Sequence, residues 1–211
     1  MSPTSDRQRR PAAPIALLAS ALLTACSVLP RAEPIDLYLL PASATAAAEA
    51  DPVDFALRIN RPESSRHLAG QRIVVQPEGD RVSIYKGASW SDPAPVLVRN
   101  RLLDAFRADG RIAALSSDER ALYADLELDS DLRAFQSEYR DGTPEAVIRL
   151  DVRLVAPATR RILASRSFEV RQPAAGTGVP EVVRAFGEAG DALSARLVSW
   201  TLEQAAAQRG R

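Results

Sequence analysis

Three runs in the second half of the chain alternate apolar and charged positions with period two. In YADLELDSDLRAF, Leu126, Leu128 and Leu132 fall between Asp125, Glu127, Asp129, Asp131 and Arg133. In AVIRLDVRLVA, Ile148, Leu150, Val152 and Leu154 alternate with Val147, Arg149, Asp151, Arg153 and Val155. In RILASRSFEV, Ile162, Ala164, Phe168 and Val170 stand against Ser165, Ser167 and Glu169. Successive strand residues point to opposite faces, so each run predicts a strand with one face on a core and one in water. The breaks SEYRDGTPE and APATR predict that the three form an antiparallel meander. Earlier, VDFALRIN repeats the alternation through Val53, Phe55, Leu57 and Ile59, and QRIVVQPEGDRVSIYKG reads as two short strands joined by the turn PEGD. Between them RPESSRHLAG reads as a turn with a short helical piece, and farther on RIAAL reads as a brief strand.

Two segments switch to helical spacing. Asp92-Pro93 predicts a start, because Asp can cap free amides and Pro fits the first helical position. Val98, Leu102, Ala105 and Phe106 then share one side, Arg99, Arg101, Asp104 and Arg107 are among the polar positions, and Asp109-Gly110 predicts the end. A longer helix from about Pro180 to Ala207 carries Val179, Val182, Val183, Phe186, Leu193, Leu197 and Val198 on one stripe, with Glu181, Arg184, Glu188 and Asp191 opposite. These elements predict a single α/β (α+β) domain, a mixed, mostly antiparallel sheet packed by two main amphipathic helices.

The N-terminal region follows different rules. Arg7, Arg9 and Arg10 precede Ile15 to Leu23, an uncharged apolar stretch well short of the roughly 20 residues a spanning helix needs. Small residues then lead to Cys26, the only cysteine. LLTACS resembles a bacterial lipobox, in which the peptide is cut before the cysteine, the thiol receives diacylglycerol and the freed amine an acyl chain such as palmitate. The predicted boundaries are a signal peptide at residues 1–25, a lipidated N-terminus, short strand and linker at 26–52, and a domain at 53–208. Within the second region, Ile35 to Leu40 reads as an edge strand ended by Pro41, and ASATAAAEADP as a linker. Acyl chains contribute about 0.8 kcal/mol per buried methylene, so the expected anchor is chemical rather than helical. A lone cysteine also leaves no disulfide framework. Ser27 in place of Asp after Cys26 is, by resemblance to other lipoproteins, the mark of transfer to the outer membrane.

The whole chain carries 27 basic and 27 acidic residues. So even a balance, with scattered arginines, gives nucleic acid or an anionic membrane no overall electrostatic reason to bind.

The chemical inventory is thin. His67 is the only histidine and has Ser64 and Ser65 beside it, but no GxSxG turn presents a serine. Alternate strand residues lie about 6.5 to 7 Å apart, so Asp125, Glu127, Asp129 and Asp131 cannot all close on one ion, and Arg149, Asp151 and Arg153 offer them cross-strand partners instead. With no glycine-rich phosphate loop, CxxC or HExxH, the expectation is no catalytic residue, no metal and no cofactor beyond the lipid on Cys26. In YKGASWSDPAP, Tyr85 and Trp90 flank a short glycine-containing loop. Trp90 either caps the core at the helix entrance or is exposed with Tyr85 as a partner-binding anchor.

The lipobox at Cys26, DLYLL after it, the strand pair leading to IYKGASWSDPAP, and RILASRSFEVRQP before a terminal amphipathic helix together resemble the ABC-type transport auxiliary lipoprotein family, which includes the lipoprotein of the paraquat-inducible operon. The resemblance spans about Ile35 to Ala207. It implies a fold similar to the N-terminal domain of the Tol-system propeller protein or to anticodon-binding-type domains. It implies a periplasm-facing, outer-membrane-anchored, non-enzymatic accessory protein. The implied partners are ABC transporter subunits and a mammalian-cell-entry-domain protein that carry lipids between membranes, with room for a homo-oligomer. A stand-alone lipid- or hydrophobic-ligand-binding lipoprotein is the alternative, requiring an apolar cavity of several hundred Å³. A hydrolase requires His67 beside a serine or carboxylate in a cleft.

Overall fold

The computed structural model describes residues 34–43, 51–120 and 122–209, so Cys26 and the signal-peptide reading lie outside the described residues. The chain runs β1 (Asp36–Tyr38), β2 (Val53–Ile59), β3 (Glu63–Ser64), β4 (Arg72–Glu78), β5 (Arg81–Trp90), α1 (Ala94–Asp109), β6 (Ile112–Ser117), a 3-10 turn (Asp118–Arg120), β7 (Leu126–Arg140), β8 (Thr143–Ala156), β9 (Arg161–Pro173) and α2 (Val179–Arg209). Residues from Ile35 onward form one compact unit, so β1 belongs to the domain, which begins before residue 53.

The three alternating runs become the meander β7–β8–β9, antiparallel throughout. The other edge of β7 is shared, end to end, by three short parallel strands. Leu126–Leu128 takes β2, Asp131–Leu132 takes β3 and Gln136–Glu138 takes β4. From β2 the sheet continues in parallel to β6, and from β4 it continues antiparallel to β5, with β1 parallel to β5 at the edge. Two irregularities change which side chains face inward. Register shifts between Leu132 and Ala134, so the inward row passes from Leu128 and Leu132 to Phe135 and Ser137 and leaves Arg133 in water. A second shift, opposite Leu154 and Val155, inserts Leu163 as an extra residue. Ile162, expected on the inward face, is therefore 54% exposed.

Both helices cover one face of the sheet. Gly110 ends α1 at φ 80°, its N–H donating to the Phe106 carbonyl over 3.2 Å, as Asp109-Gly110 predicts. At the other end Pro93 occupies the cap position and no side chain caps the helix, so Asp92 does not have the capping role read from sequence. Arg99, expected among the polar positions, is also buried. Its Nη1 reaches Asp118 at 3.1 Å and Glu119 at 2.8 Å, because the 3-10 turn after β6 folds over that side of α1.

α2 lies over β8 and β9 and beside α1. Beneath it, Trp90, Phe135 and Phe186 pack pairwise with centroids 4.8 to 5.6 Å apart, and Phe168 meets Trp200 edge-on at 5.8 Å. Each such pair contributes about 0.5–1.5 kcal/mol beyond the area it buries.

Candidate docking surface

YKGASW is not a loop. It is the second half of β5, and Gly87, at φ 67°, lies where the β4–β5 register shifts. Tyr38 stands opposite Trp90 in the β1–β5 register, on the row that faces the helices. Trp90 is accordingly wholly buried, its ring edge-on to Phe186 at 89°. That corrects the reading of Trp90 as an exposed anchor, since its ring has no surface left for a partner. Tyr85 is half-buried against the core, and its hydroxyl donates inward to Ser137 Oγ over 3.2 Å. Burial pushes this phenol up to about 12, against the partial relief of the Ser137 hydrogen bond.

The face of the sheet turned away from the helices has two zones. Across β7, β8 and β9 its charges are paired. Arg153 Nη1 lies 2.6 Å from Asp131, Arg149 Nε 2.9 Å from Glu169, and Arg171 reaches both Glu138 and Glu169 at 2.7 Å. The two arginines hold the Glu169 carboxyl below its usual range. The acidic row is thus a solvated ladder, with Arg153 the partner that the sequence suggests and Arg149 turned instead to β9.

The zone on β1, β4 and β5 is different. Leu37, Ser89 and Arg72 form one cross-strand row, and Ile84 stands opposite Val74 in another on the same face. Ile35 and Leu37 are each 67% exposed and Leu39 73%, while Tyr38 and Leu40, on the alternate row, pack against the core. Ile35, Val74, Val82 and Ile84 line an open concavity of about 610 Å³ together with Arg66, Arg72 and Lys86. Among the described residues none of these three cations has a carboxylate partner, and no carboxylate lines the concavity.

A second depression, about 400 Å³, lies between the helices. Ala105, Ala108, Ala195 and Val198 supply its apolar wall, and an Arg101–Asp191 ion pair joins α1 to α2 at its side. Asp191 also accepts the Ser43 N–H over 3.2 Å, fixing the chain just after β1 to α2. Among the described residues Arg101 Nε and Ser194 Oγ are buried without a hydrogen-bond partner.

His67 does lie beside a serine, Ser65 Oγ being 3.0 Å from Nδ1, and both line a polar cleft with Glu63 and Asp131. The two residues are exposed neighbours within one turn, closed by Leu68 and Ala69 N–H groups on the Ser65 carbonyl. Among the described residues no carboxylate hydrogen-bonds the ring, so the third group that orients a catalytic base is missing. Among the described residues no three potential ligands gather to hold a metal, and no helix is long and apolar enough to cross a membrane.

The chain is similar to known proteins at both levels. A crystallised protein from Xanthomonas campestris is 29% identical, with a TM-score of 0.78 over 83% of this chain and 99% of that one. A second crystallised, uncharacterized protein shares the fold at a TM-score of 0.64 and 19% identity over 80% of this chain and 99% of that one. An uncharacterized protein of Bradyrhizobium diazoefficiens is 30% identical over 148 residues, 70% of this chain but 39% of that protein, so the chain spans about two-fifths of that relative's length. Residues 38–198 match the family described as ABC-type transport auxiliary lipoprotein component, and the chain belongs to that family.

Proposed function

We propose that this protein is a non-enzymatic accessory subunit of a lipid-transporting ABC system, tethered to the outer membrane by acyl chains on Cys26 and working on a mammalian-cell-entry-domain partner. The observation that carries the reading is the family match over most of the domain. A thin chemical inventory supports it, since His67 and Ser65 share an exposed turn and lack an orienting group. Docking, not bond-making, is what such a surface does.

The test is crosslinking in cells followed by purification through the lipidated protein. Recovery of a mammalian-cell-entry-domain protein with transporter subunits is expected, and repeated recovery of none would defeat the reading. Mass measurement of the mature protein tests the tether separately: the expected product starts at Cys26 with diacylglycerol and one further acyl chain.

A second reading, a carrier that binds a hydrophobic ligand by itself, draws on the depression between α1 and α2, whose volume of about 400 Å³ is within the range of small-ligand sites. Native mass spectrometry that finds no bound lipid would remove it.

A further inference from the structure

We propose that the outer face of β1 and β5 rests on an anionic phospholipid surface, so that the protein lies against its membrane in one orientation instead of swinging on its tether. The inference rests on Cys26 being the lipid anchor. Three observations combine. First, Ile35, Leu37 and Leu39 form an exposed aliphatic ridge on a strand whose alternate residues are packed inward, and Val82 and Ile84 extend it across β5. The rest of the same sheet face carries a ladder of ion pairs, so the apolar exposure is local.

Second, among the described residues the cations of this zone have no carboxylate partner. Arg66, Arg72 and Lys86, the only lysine in the chain, surround the aliphatic floor. Elsewhere on the face Arg149, Arg153 and Arg171 each have a carboxylate within 2.6 to 2.9 Å. Aliphatic side chains flanked by unpaired basic groups match the acyl and phosphate layers of an anionic bilayer surface. The balanced total charge hides this cluster.

Third, the tether is short. Eight residues lie between Cys26 and Ile35. Covalent geometry alone limits that stretch to about 30 Å at full extension, which bounds how far the ridge can stand from a lipid on Cys26. Cover by a second copy or a protein partner would not by itself account for cations grouped around the aliphatic ridge.

The test uses the fact that Cys26 is the only native cysteine. In lipidated Leu37→Cys protein the new thiol is the sole free one and takes an environment-sensitive fluorophore, and Glu203→Cys on α2 serves as the distant control. Both are reconstituted in vesicles of phosphatidylethanolamine and phosphatidylglycerol that contain acyl-chain spin-labelled quencher. The label at 37 should be quenched and the label at 203 should not. Replacing Arg66, Arg72 and Lys86 together by Glu should weaken that contact by about tenfold or more, on the basis of a few-fold per cation at a charged surface.

Protein that floats with the vesicles while the two labels quench equally overturns the docking and leaves the anchor standing. A change at 37 that follows protein concentration and ignores the lipid quencher assigns the ridge to a second copy and overturns it as well. If the protein fails to float, the anchor reading fails. The Cys26→Ser chain held on chelator lipids by an N-terminal histidine tag then decides the docking by the same quenching.

Discussion

Gly187 makes room for Pro41. A Cβ at position 187 would lie 2.9 Å from the Pro41 Cβ and 3.0 Å from its carbonyl oxygen, closer than side chains approach. The segment leaving β1 therefore crosses α2 at a point where the helix has no side chain. With the Ser43 N–H on Asp191, this contact holds the N-terminal strand to the rest of the domain.

Gly187→Ala is accordingly expected to cost about 1–3 kcal/mol, the usual range for overpacking, despite Ala being the better helix former. Gly190, one turn along, is the control: its Cβ would meet Arg101 and Leu40 only at 3.8 to 3.9 Å. Gly190→Ala should be neutral or stabilising by up to about 1 kcal/mol. Urea denaturation reads both, and hydrogen exchange at the Ser91 N–H, which donates to the Tyr38 carbonyl, reads whether β1 has come loose.

Trp90→Ala should lower stability by about 3–5 kcal/mol, the cost of emptying a packed aromatic site. An interface anchor would behave oppositely, leaving the denaturation midpoint in place and weakening only partner binding. Chemical denaturation of the variant distinguishes the two.

Tyr85 sets an alkaline limit. Its folded value of about 12 lies above the unfolded value near 10, so the native state retains the proton that the unfolded chain gives up. This contribution to stability is complete below about pH 10 and is lost as pH rises toward 12. Denaturation midpoints of wild type should fall more steeply through that window than those of Tyr85→Phe.

The Arg101–Asp191 pair should couple the helices. The two side chains are 11% and 25% exposed, so removing either leaves a largely desolvated charge, and a double-mutant cycle of Arg101→Met with Asp191→Asn should return about 1–3 kcal/mol. A coupling energy near zero would mean that the helices pack on apolar contacts alone.

The strands of the meander and the terminal helix were legible because period-two and helical patterns specify which side chains must leave water, whatever they pack against. Partners were not legible in that way. Nothing in VDFALRIN or RIVVQPE shows that both lie along one edge of the strand starting at Leu126, because parallel pairing across such separations leaves no local trace. Faces were misread where one inserted residue reversed the alternation, as at Leu163, and where a neighbour covered a polar row, as the 3-10 turn covers Arg99. Trp90 was ambiguous because the same stretch reads as loop or strand until Gly87 is seen to absorb the register shift inside β5. The cations grouped around Ile84 were missed because total charge averages over zones that the fold separates.

The fifteen-residue β7 also sets the order of assembly. Three of the four strands before β5 join one sheet only through residues 126–138: β4 has its hairpin partner β5 and β2 its partner β6, but no strand pairing links those two pieces, or places β3, until β7 has emerged. During synthesis or passage through a narrow pore, N-terminus first, the β4–β5 hairpin and the β2–β6 pair must wait as separate pieces and then close onto the late strand together. Contacts this distant make folding slow, roughly in the millisecond-to-second range, and truncation before Leu126 leaves the early strand pairs with no strand to join them.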